Sequence, residues 1–100
     1  MDPLDELVAL IEMAHDAAVR IRYAYTAGPV YRLLLEASGS TGERFKAMIA
    51  DAAMVAGTLA YAMRTEGDAS ERDCAFVDEL SERLVVLDEV VTVNTVKAAS

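Results

Sequence analysis

One hundred residues, 54% of them apolar, suffice for a single folded domain with a modest core. A net charge of −8 and a pI of about 4.4 argue against direct binding to nucleic acid or to an anionic membrane surface. Cys74 is the sole cysteine, which excludes an intrachain disulfide and a cysteine metal site and fits a reducing compartment.

The chain opens MDPLDEL, acidic where an export signal would be basic, so the expected location is the cytoplasm. Asp2 before Pro3 is a strong helix start: Asp caps free amides, Pro suits the first turn, and Asp5 and Glu6 favour the positive end of the helix dipole. The spacing predicts a first helix over residues 3–26. Leu4, Leu7, Val8, Ile11, Ala14, Ala18 and Tyr25 form its apolar face, and Asp5, Glu12, Asp16 and Arg20 its wet one, with Asp16 and Arg20 set for an i,i+4 pair. Gly28-Pro29 is expected to break it, and Pro29 to open a short second helix ending at Ser38 or Gly39. Ser40 and Glu43, three apart after a flexible turn, resemble a capping box.

The third helix, Phe45 to Arg64, is the segment around which the others are expected to pack. Seven of the seventeen residues from Ala47 to Met63 are Ala. Arg44, Asp51, Thr58 and Thr65 recur every seven residues as one polar stripe, which favours a soluble helix buried on about three sides over a membrane span. Ala52, Ala56 and Ala60, with Ala53 and Gly57, allow a close backbone approach. Leu at Ala56 or Gly57 should therefore overpack the contact.

After Gly67, Ser70 with Asp73, or Asp68 with Glu71, caps a fourth helix that turns Val77, Leu80, Leu84, Leu87 and Val91 to the core. Val86, Val90 and Val93 lie on roughly the opposite face and form the expected self-association surface of a homodimer. Six of the seven residues from Val90 to Val96 are β-branched, so an edge strand pairing across a dimer is the rival for that stretch. The fold expected is all-α: one small bundle of three long helices and one short helix, with the Ala-rich helix central.

Candidate chemistry is sparse. Glu12 and His15 have the E-x-x-H spacing of carboxylate-bridged metal bundles, but too few further acids face inward, so no metal site is expected. His15 and Arg22 fall within the apolar face of the first helix as a possible polar pocket for a small anion, with Glu36, Asp51 or Asp88 as the carboxylate a buried Arg needs. The acids around Cys74 disfavour a thiolate, and no catalytic triad, phosphate loop or cofactor motif is present. Tyr31 with Arg32 could anchor an interface. The opening DPLDELVALIE is similar to the first helix of the small all-helical chorismate mutases. That family's Arg and Lys residues map no further than Arg22, so no activity is drawn from it.

From Glu66 to Glu89 nine acids stand against Arg72 and Arg83, a local net charge of −7. The function expected is therefore a small acidic module, not an enzyme and without a cofactor. Glu71, Asp73, Asp78, Glu79 and Glu82 would dock on a basic, often nucleic-acid-binding, surface of a partner protein and inhibit or regulate it. Small phage-encoded inhibitors, anti-CRISPR proteins among them, work this way; the likeness is one of class and no motif carries it. The alternatives are a structural or assembly subunit using the valine face, and a ligand binder or enzyme using His15 and Arg22.

Overall fold

The computed structural model describes residues 2–21, 24–66 and 69–99, with side-chain surroundings for 2–21, 27–66 and 69–94. Four helices account for nearly all of them: α1 (Pro3–Arg20), α2 (Ala24–Ser38), α3 (Gly42–Glu66) and α4 (Glu71–Ala99). No strand occurs among the described residues, and residues 90–96 are helical, so the edge-strand alternative falls. Backbone bonding within one helix satisfies that β-branched run without a partner strand, and propensity differences of a few tenths of a kcal/mol per residue do not outweigh this.

The helices form a ring in which α1 packs on α2 and α4, and α3 packs on α2 and α4. The backbones of the diagonal pairs do not approach closely, as expected of a four-helix bundle with short connections. Arg64 beside Asp78 and Gly57 beside Ser81 show α3 and α4 running antiparallel, and the molecule measures 47 × 20 × 20 Å. The Ala-rich helix packs closely on two neighbours but not on α1, so it takes a corner of the ring and not its centre. Ile49, Ala52, Ala56, Leu59, Ala60 and Met63 are its buried residues. Met54 is 66% and Tyr61 71% exposed, on the same outward side as the exposed Arg44, Asp51, Thr58 and Thr65. By length and composition α3 could cross a membrane, but here its apolar row closes the core of the bundle.

Two boundaries differ from expectation. The chain leaves the first helix at Ile21, not after residue 26, and Pro29 lies inside α2. Pro29, the sixth residue of α2, removes one N–H bond and crowds the preceding turn, a cost of about 3 kcal/mol that the burial of Ala27, Val30, Leu34 and Ala37 outweighs. The buried row of α1 is Leu7, Leu10, Ala14 and Ala17, continued by Ile21, whereas Leu4 and Val8 are 61% and 57% exposed. Its two neighbours, α2 and α4, select that row. Ser40 does not cap α3. Its hydroxyl donates to the Ala37 carbonyl at the end of α2, and α3 begins instead at Gly42 with φ 61°. The start of α1 is as expected, the Leu4 amide donating to Asp2 Oδ1 at 3.1 Å.

Candidate interaction face on the fourth helix

Ser70 starts α4, its hydroxyl accepting from the Asp73 amide at 3.1 Å. Val77, Leu80, Leu84, Leu87 and Val91 are all buried and fix the rotation of the helix about its axis. At about 100° per residue, the line opposite that row carries Glu71, Asp78, Glu82 and Glu89.

Asp78 is half-buried and accepts from Arg64 Nη2 of α3. Glu71, Glu82 and Glu89 are exposed, and among the described residues no cation lies within ion-pair distance of them. Asp73 and Glu79 lie off this line. Asp73 is half-buried in the first turn, and Glu79 borders a shallow groove with Arg20, Arg72 and Phe76 on the side of α1. The structure therefore aligns three of the five acids singled out from the sequence and adds Glu89. Its i+18 spacing from Glu71 was the available signal.

Val86, Val90 and Val93 are 58%, 39% and 52% exposed on the α1 flank of α4. There a groove of about 430 Å³ opens between the two helices, lined by Pro3, Glu6, Glu82, Arg83, Val86, Leu87 and Val90. On its floor Arg83 Nε donates to Glu6 Oε1 at 2.7 Å. The Glu6 carboxylate, by hydrogen bond and by charge, raises the Arg83 pKa above its ordinary value against the opposing effect of burial.

Arg83 is the paired arginine of the core edge that sequence reasoning missed by looking to Arg22, which lies outside the described residues. Of the carboxylates proposed for Arg22, Glu36 and Asp51 are exposed and Asp88 is half-buried. His15 is not within the apolar face. It is exposed at the α1–α2 seam, edge-on to Tyr31 with ring centroids 5.2 Å apart, its Nδ1 3.8 Å from Asp16 Oδ1. Arg20 does not pair with Asp16; it lies over the Phe76 ring at 4.9 Å. Arg32 is exposed beside the half-buried Tyr31, and Cys74 is a half-buried free thiol. Glu12 is exposed, and no group of three or more His, Cys, Asp or Glu residues that could hold a metal ion occurs among the described residues. The chain matches no family model, no curated protein and no solved structure.

Proposed function

We propose that this protein is a small acidic binding module, cytoplasmic and without enzymatic activity of its own, that inhibits or regulates a partner protein by covering a basic surface. What supports the reading is the line of exposed carboxylates Glu71, Glu82 and Glu89, which have no cation within ion-pair distance among the described residues. At about 1.5 Å rise per residue they span about 27 Å on one rigid rod. Rows of like charge on a rigid element steer a complementary surface and fix its register. A basic surface that binds nucleic acid would be the natural target, because the module would displace the polyanion. In the same reading, Val86, Val90 and Val93 hold the module together as a homodimer.

The test is affinity capture from a bacterial lysate at low and high salt, with and without DNA as competitor. The expected result is a nucleic-acid-binding protein that is released by salt or DNA. It should not be captured by a Glu71→Lys, Glu82→Lys, Glu89→Lys variant of unchanged melting temperature. Equal capture by that variant would sink the reading. Recovery of the chain alone, or of a salt-resistant assembly, would favour the second reading, a structural subunit, which the exposed valines support.

A further inference from the structure

We draw no further inference here: the strongest candidate, the groove of about 430 Å³ between α1 and α4 beside the exposed Val86, Val90 and Val93, is an apolar face bordered by Glu82, and nothing in the structure shows what covers it.

Discussion

Arg83 of α4 and Glu6 of α1, 77 residues apart in the chain, are joined by a hydrogen bond of 2.7 Å, with Arg83 Nη1 also 3.0 Å from the Met13 sulfur. This half-buried contact closes the ring of helices on its first-to-last side. Arg83→Met should keep the stem packing but lose the charged bond, at about 1–2 kcal/mol. For a domain of this size that is a melting-temperature drop of about 4–16 °C, readable by circular dichroism. Glu6→Gln in both backgrounds, as a double-mutant cycle, should attribute most of the loss to the pair. The sign of the pH effect follows from the raised Arg83 pKa. Its stabilisation is full below the ordinary arginine range and is lost only as pH rises through the higher folded value, so Arg83→Met should cost the same at about pH 7 and about pH 10.

Three small residues of α3 should respond to substitution in different ways. A Cβ on Gly57 would meet Ser81 Oγ at 3.8 Å, an ordinary contact, so Gly57→Ala should gain about 0.5–1 kcal/mol from helix propensity. Gly42 sits at φ 61°, where Ala is strained, and Gly42→Ala should cost about 1 kcal/mol despite having open space around it. Ala56 is completely buried, so Ala56→Leu should overpack the α3 contacts at about 1–3 kcal/mol. Chemical denaturation of the three variants in parallel would read the order directly. A stabilised Gly42→Ala would contradict the left-handed start of α3.

How legible the fold is in the sequence varies from helix to helix, for physical reasons. The core row of α4 is plain because Val77, Leu80, Leu84 and Leu87 stand between charged residues. The opening of α1 is ambiguous because Leu4, Leu7, Val8, Leu10 and Ile11 crowd two adjacent stripes. Only the positions of α2 and α4 decide that Leu7 and Leu10 go in. The centrality of α3 was overstated because Ala reads as apolar yet loses little in water; Ala47 is exposed and Ala53 half-buried. Gly28-Pro29 reads as a helix end because proline cannot donate and crowds the preceding turn, a cost that the burial of Val30, Leu34 and Ala37 beyond it outweighs. At the interaction face, exposed Glu71 and Glu82 were legible from charge alone. Pairing of Asp78 with Arg64 was not, because it depends on which helix lies beside α4.

The helix starts offer a cleaner stability measurement. Ser70→Ala removes the oxygen that accepts from the Asp73 amide, and Asp2→Ala the one that accepts from the Leu4 amide. Each should cost about 0.5–2 kcal/mol, and Ser70→Asp or Asp2→Ser should restore most of it. Failure of the restoring substitutions would show that the loss came from another source than capping.

The carboxylates of α4 should separate into two kinds when their charges are changed one at a time. Asp78 is held by Arg64, but the two side chains are 26% and 64% exposed, so the pair is screened by water. Asp78→Asn should cost at most about 1 kcal/mol, and less in high salt. Glu82 and Glu89 have no cation within ion-pair distance among the described residues and sit in a stretch of net charge −7. Glu82→Lys and Glu89→Lys should therefore leave stability within about 0.5 kcal/mol of the parent or raise it slightly at low salt, as repulsion along the helix is relieved. Thermal melts at low and high ionic strength distinguish the two kinds. A Glu82→Lys variant that is destabilised at low salt and recovers at high salt would reveal an internal ion pair, and Glu82 would then leave the line of carboxylates available to a partner.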